Sequence, residues 1–136
     1  VIVDTSVAIK WVMAEPLSDK ADALLFRTDL FAPDFLDYEM ARVLARNVRR
    51  RILSPRQTHR MRTELAEKPV SRIDWVEGLD HAFDLSLELR TDLADCIFLE
   101  LAMRLGDVMV TADERFFNGV TSSPKLARYV VALENT

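Results

Sequence analysis

The chain has one cysteine, two histidines, three glycines and five prolines among 136 residues. A single thiol, Cys96, can close no disulfide within the chain and has no companion for a thiolate metal site. His59 and His81 stand apart without ligand-like neighbours in sequence, and His81 reads as a surface or packing residue. The scarcity of glycine and proline argues against a loop-rich scaffold and suits long helices with short connections. No signal peptide and no apolar run of membrane length is present, so a cytoplasmic setting with no membrane contact is expected. The chain begins inside a strand-like run. Internal repeats and low-complexity segments are lacking.

What is present suits one ordinary soluble domain spanning residues 1–136. Hydrophobic residues make up 49% and charged residues 29%. Short β-branched or apolar runs predict strands at Val1–Val3, Leu30–Ala32, Val70–Ile73 and Val108–Val110, with an edge strand near Tyr129–Val131. Between them the apolar spacing turns helical. A short helix is expected up to about Met13, with Thr5 or Ser6 as its cap, and a second begins at Ser18. A long one covers Phe35 to Arg51 with Leu36, Met40, Val43 and Leu44 inward. Ser54-Pro55 opens the next, which reaches about Glu67. Another, after Gly78, carries Leu79, Ala82, Phe83, Leu85, Leu87 and Leu89 as a broad apolar surface. Thr91-Asp92 starts a further helix that ends near Leu105, and Phe116 and Phe117 fall in a short helix or turn. Helices alternating with short apolar strands predict an α/β chain: a three-layer α/β/α sandwich around a parallel sheet of four or five strands.

Negative charge dominates, with a formal net charge of -4. Its distribution is uneven. Met40 to Thr63 contains no acid but holds Arg42, Arg46, Arg49, Arg50, Arg51, Arg56, Arg60 and Arg62. Such a patch attracts phosphates despite a negative total. Arg46, Arg49 and Arg50 are the candidates to touch RNA or an acidic protein partner. A plain solvated helical face is the bland alternative.

Four acids carry the chemistry. Asp4 and Asp113 repeat one arrangement: apolar strand, acid, helical turn. If their strands are adjacent and parallel, both carboxylates emerge at the same sheet edge, where open α/β sheets place their sites. Glu39 falls on the inward phase of its helix, where an unpaired charge is costly and a partner or metal is needed. Asp95 sits one turn into its helix. Each acid has a structural alternative. Asp4 and Asp113 can cap helices, Glu39 can pair with an arginine, and Asp92 with Asp95 resembles a capping arrangement. Thr5, Ser6 and Thr111 stand where a hydroxyl could orient an acid, and Asp92 could add charge. Crowded carboxylates repel, and a hard divalent ion relieves that repulsion. Oxygen ligands without Cys or His suit Mg²⁺ or Mn²⁺. Such a site beside an arginine rim points to metal-assisted hydrolysis of a phosphodiester.

The chain resembles the PIN-domain ribonucleases, in particular toxins of the VapC kind from type II toxin–antitoxin pairs. The resemblance lies in Val3-Asp4-Thr5-Ser6, in Glu39 within Leu36–Ala41, in Asp95 within Ala94–Ala102, and in Val110-Thr111-Ala112-Asp113. It implies a parallel sheet in the order 3-2-1-4-5 and a Mg²⁺- or Mn²⁺-dependent endoribonuclease, a hydrolase of phosphodiester bonds. It assigns catalysis and metal binding to Asp4, Glu39, Asp95 and Asp113, with Thr5, Ser6 and Thr111 assisting. It also implies a homodimer and a small antitoxin that blocks the cleft. Asp92 departs from the pattern, standing where Ser or Thr is common, and Asn118 falls near the place after Asp113 where many members have a further acid or Asn.

Other classes remain in view. A PIN protein can process RNA without being a toxin. A phosphatase working through an aspartyl-phosphate usually needs an acid two residues after its nucleophile, where this chain has Ser6. A phosphoacceptor module needs a lysine near the late strand, and none follows Asp113 before Lys125. An interaction protein whose acids only cap helices would be indifferent to metal.

Overall fold

A computed structural model describes residues 1–136. Five strands form one sheet: β1 (Ile2–Val3), β2 (Phe31–Pro33), β3 (Ser71–Ile73), β4 (Met109–Thr111) and β5 (Val130–Ala132). Their spatial order is β3-β2-β1-β4-β5, and every neighbouring pair is parallel. The seven helices are α1 (Thr5–Ala8), α2 (Ser18–Leu24), α3 (Phe35–Arg49), α4 (Pro55–Ala66), α5 (Leu79–Leu89), α6 (Leu93–Leu105) and α7 (Glu114–Thr121). Right-handed crossovers running in both directions from the centre place the helices after β1 and β2 on one face, and those after β3 and β4 on the other. The result is the expected α/β/α sandwich. No helix is long and apolar enough to cross a membrane.

The centre is dry. Ile2, Val3, Ala32, Met109 and Val110 are buried, as a parallel sheet covered on both faces requires. α6 supplies Cys96, Phe98, Leu99, Leu101 and Ala102 to this core, and α3 supplies Leu36, Met40 and Leu44. Helix ends follow local chemistry. Ser54 and Gln57 form a reciprocal capping box at α4, with Pro55 in its first turn. Gly106 ends α6 in the left-handed conformation, φ 63°, where glycine has no Cβ penalty.

Several expectations shift by a residue or two. Asp4, not Thr5 or Ser6, caps α1. That helix is brief and passes into a 3-10 turn at Ile9–Trp11. Tyr129 lies in a 3-10 turn and leaves the edge strand to Val130–Ala132. On α5 the inward stripe is narrower than read: Ala82 and Leu85 are buried, but Phe83 and Leu87 are exposed. A helix at the outer layer needs only one apolar stripe.

A carboxylate cleft at the sheet switch point

The sheet reverses its winding between β1 and β4. β1 leads on to β2 on one side, and β4 leads to β5 on the other. A crevice at the carboxyl ends of the strands follows from that reversal. Val3 pairs with Val110, so the residues just beyond them, Asp4 and Thr111, fall side by side.

Asp4 is buried and fully engaged. Ser6 Oγ donates to its Oδ1 at 2.6 Å, and the Val7 amide donates to the same oxygen at 3.1 Å. Thr111 Oγ1 donates to Oδ2 at 2.6 Å. The Ser6 hydroxyl also receives the Ala112 amide at 2.8 Å, and Thr111 Oγ1 receives the Asp113 amide at 3.0 Å. Three short polar side chains thus tie the ends of β1 and β4 together around one carboxylate. Burial pushes the Asp4 carboxyl up to about 6, against the lowering effect of those hydrogen bonds.

Asp113 caps α7 by accepting the Phe116 amide at 3.0 Å. Asp92 caps α6 by accepting the Ala94 amide at 2.9 Å. Asp95 lies in the first turn of α6, but the reciprocal half of a capping box is missing, because its carboxylate receives no hydrogen bond from Asp92. Its carboxyl is pushed up to about 7, first by burial and then by the charges of Asp4, Asp113, Asp92 and Glu39. Those contributions place the other four acids within electrostatic reach of Asp95. The positive ends of α6 and α7 face the same region and favour negative charge there.

Glu39 is buried on α3, as its helical phase predicts. It is not bare: Arg42, one turn on, donates to Oε2 from Nε at 3.0 Å, and a terminal nitrogen of the same guanidinium lies 2.9 Å from that oxygen. Glu39, Asp92, Asp95 and Asp113 line a cleft of about 520 Å³ together with Thr5, Ser6, Lys10, Arg42 and Arg46. Asp4 sits behind this lining, one hydrogen bond away through Ser6. Two polar atoms of the cleft are buried without any partner, Thr5 Oγ1 and Arg46 Nε. Arg46 is seven residues after Glu39 and shares its face of α3.

Arg49 and Arg50 are exposed at the far end of α3 and do not line the cleft. Lys10 and Arg42 do line it, and the sequence reading assigned neither to it. For Arg42 the spacing of three from Glu39 was the available signal. Lys10 had none, since it enters through the 3-10 turn after α1.

The donor set fits a hard divalent cation. Its acids and hydroxyls offer oxygen ligands with no Cys or His among the lining, and Thr5, which lines the cleft, has a buried hydroxyl without a partner. The acids do not, however, form a ready cage, as no three His, Cys, Asp or Glu side chains stand close enough to hold one ion as they are placed. Asp4 is held by hydroxyls and Glu39 is paired with Arg42.

The PIN domain family profile matches residues 1–120. The chain is a PIN domain. No curated protein matches its sequence. Among solved structures, a chain of a toxin–antitoxin complex from Klebsiella pneumoniae has a similar fold, with a TM-score of 0.67 at 18% identity over 97% of this chain and 96% of that one. The sheet order of this PIN domain agrees with the order expected from the resemblance.

Proposed function

We propose that this PIN domain is a divalent-metal-dependent endoribonuclease and the toxin half of a toxin–antitoxin pair. The carrying observation is the unpartnered Asp95 carboxylate, crowded by Asp4, Asp92, Asp113 and Glu39 at the switch point of the sheet and flanked by Arg46, whose Nε is buried and unpaired. Neither feature lowers the free energy of the protein alone, and both are relieved by ligands of opposite charge.

Asp4, Glu39, Asp95 and Asp113 would hold Mg²⁺ or Mn²⁺, which when bound supplies an activated water and stabilises charge on the phosphate under attack. The side chains of the chain do the rest. Ser6 and Thr111 fix both oxygens of Asp4, so its orientation is set before ligand arrives. Arg46 and Lys10 hold the substrate phosphate on the α3 side of the cleft. Thr5 lines the same space with its hydroxyl oxygen buried and unpartnered. Asp92 keeps α6 capped while adding negative charge. Arg49 and Arg50, outside the cleft, suit a longer RNA or an acidic partner.

The toxin assignment draws on the resemblance and on the likeness to the chain of a toxin–antitoxin complex. With it come a small antitoxin that covers the cleft, a homodimer, and action in the cytoplasm. Phe26, Phe83 and Leu87 are exposed large apolar residues available for such contacts.

The test is incubation of total RNA with the native protein and the folded Asp4→Asn variant, with Mn²⁺, Mg²⁺ or chelator, and mapping of the new ends. Discrete cuts that require metal and fall about 100-fold or more in the variant are expected. Absence of metal-dependent cutting by folded native protein overturns the nuclease assignment. Cutting without growth arrest on expression would retain the nuclease and discard the toxin.

A further inference from the structure

The cleft is not the only cavity at the acids. A second, of about 460 Å³, opens between the end of α5, the start of α6 and one face of α7. It shares Asp92, Asp95 and Asp113 with the first, so the two meet at the carboxylates from opposite sides. Its volume is that of an ordinary small-ligand site.

Two arginines border it. Arg90 ends α5 in the left-handed conformation, φ 52° and ψ 47°, which is uncommon and unfavourable for a residue with a long side chain. Arg115 stands in the first turn of α7. Both are exposed, and neither makes an ion pair, although three acids share the cavity with them. Their guanidinium groups are therefore free for an incoming anion. Between them the wall is low: a Cβ on Gly119 would meet nothing within 4 Å, while Phe116 and Val120 are buried beneath it. The space over Gly119 is open enough for a base.

A strand cut at the acids must continue past them. On the α3 side its phosphates meet Arg46. On the other side only Arg90 and Arg115 line the cavity as cations. We infer that the second cavity is a nucleotide subsite: it takes the nucleotide adjoining the cut on the side away from Arg46, with the phosphate on Arg90 and Arg115 and the base over Gly119. This rests on the ribonuclease activity proposed above. The subsite would set the minimum substrate length and a local base preference.

The test uses the full chain, a short single-stranded oligoribonucleotide spanning a mapped cut, and two shorter versions trimmed close to the cut on one side or the other. Native protein, Arg46→Gln and the double variant Arg90→Gln/Arg115→Gln are compared for binding by fluorescence anisotropy and for kcat/KM. Thermal melting confirms folding. For the double variant about a tenfold or greater loss in kcat/KM is expected on the full strand, with the salt slope of binding reduced by about 0.7 for one lost phosphate. The loss should vanish on one trimmed substrate and persist on the other. Equal loss on both trimmed strands, or no loss on the full strand, overturns the subsite. If Arg46→Gln weakens binding while the double variant does not, the subsite falls and the ribonuclease stands. If native protein neither binds nor cuts any RNA, both fall. Double-variant protein with intact RNA handling and weakened binding of a protein partner also overturns the subsite.

Discussion

At the scale of single residues, Asp4 and Asp95 show how one fold gives two acids different roles. Asp4 is more buried, yet its carboxyl rises less, because three donors compensate its desolvation. Asp95 has no donor and four like-charged neighbours, and it rises further. Both carboxyls have an ordinary value of 3.8, and the fold pushes them up to about 6 and about 7. Between those limits the folded state binds more protons than the unfolded chain. The contribution of these groups to stability is therefore present at low pH and is lost as pH rises through about 7. In melting experiments with chelator, the difference between Asp95→Asn and native protein should widen in favour of the variant from pH 4 to pH 7. A constant difference would contradict the crowding. Activity should be lost in the same variant, a trade of function against stability. Arg42 gives a second prediction. Its half-exposed pair with Glu39 competes with any cation for Oε2, so Arg42→Gln should bind Mn²⁺ up to about fivefold more tightly by calorimetry, given about 1 kcal/mol at most for such a pair. Weaker binding would make Arg42 a support for the site and not a competitor. Glu39 was legible from helical phase alone, but its arginine partner was not singled out, because several arginines on that helix satisfy the same charge argument.

At the scale of elements, capping a helix and lying in the acidic region turn out to be compatible. Asp4, Asp92 and Asp113 each cap a helix and each belong to the acidic region. The sequence posed these as alternatives, since spacing shows that an acid can cap but not where its other oxygen faces. The α5–α6 pair holds a feature that sequence could not show. Glu100 is buried on α6, and Arg104 donates to both its oxygens, at 2.8 and 3.3 Å, while reaching the Asp74 carbonyl at 3.0 Å. A Cβ on Gly78, at the start of α5, would fall on the Glu100 carboxylate. Gly78→Ala should therefore cost about 2–4 kcal/mol in urea denaturation, through overpacking and disturbance of a buried ion pair. A cost under about 0.5 kcal/mol would show that Glu100 moves away freely. At the start of α4, Ser54→Ala should lose about 1 kcal/mol with its capping box. The cap was readable in advance from Ser54-Pro55, because a cap is a local property; its reciprocal partner Gln57 was not singled out. The exposure of Phe83 and Leu87 was not, because only the packed neighbours of α5 decide which part of an apolar stripe is covered.

At the scale of the whole molecule, the legible part was the alternation of short apolar runs with helical periodicity, which fixes a parallel sheet covered on both faces. The meeting of Asp4 with Asp113 needed one further fact, the adjacency of β1 and β4 across a long stretch of chain. Strand register cannot be counted from a single sequence, so the convergence was an expectation until the fold was seen. The second cavity was beyond reach altogether, because α5, α6 and α7 assemble its wall from three separated segments. The proposed cation-binding centre would be formed by Asp4, held by two hydroxyls, Glu39, paired with Arg42, Asp113, which caps α7, and the unpartnered Asp95. Crystals soaked in Mn²⁺ and measured for anomalous scattering test it most directly. The expected result is an anomalous peak bounded by Asp4, Glu39, Asp95 and Asp113 that disappears in Asp95→Asn. A clear map at saturating Mn²⁺ with no peak among those side chains would contradict it.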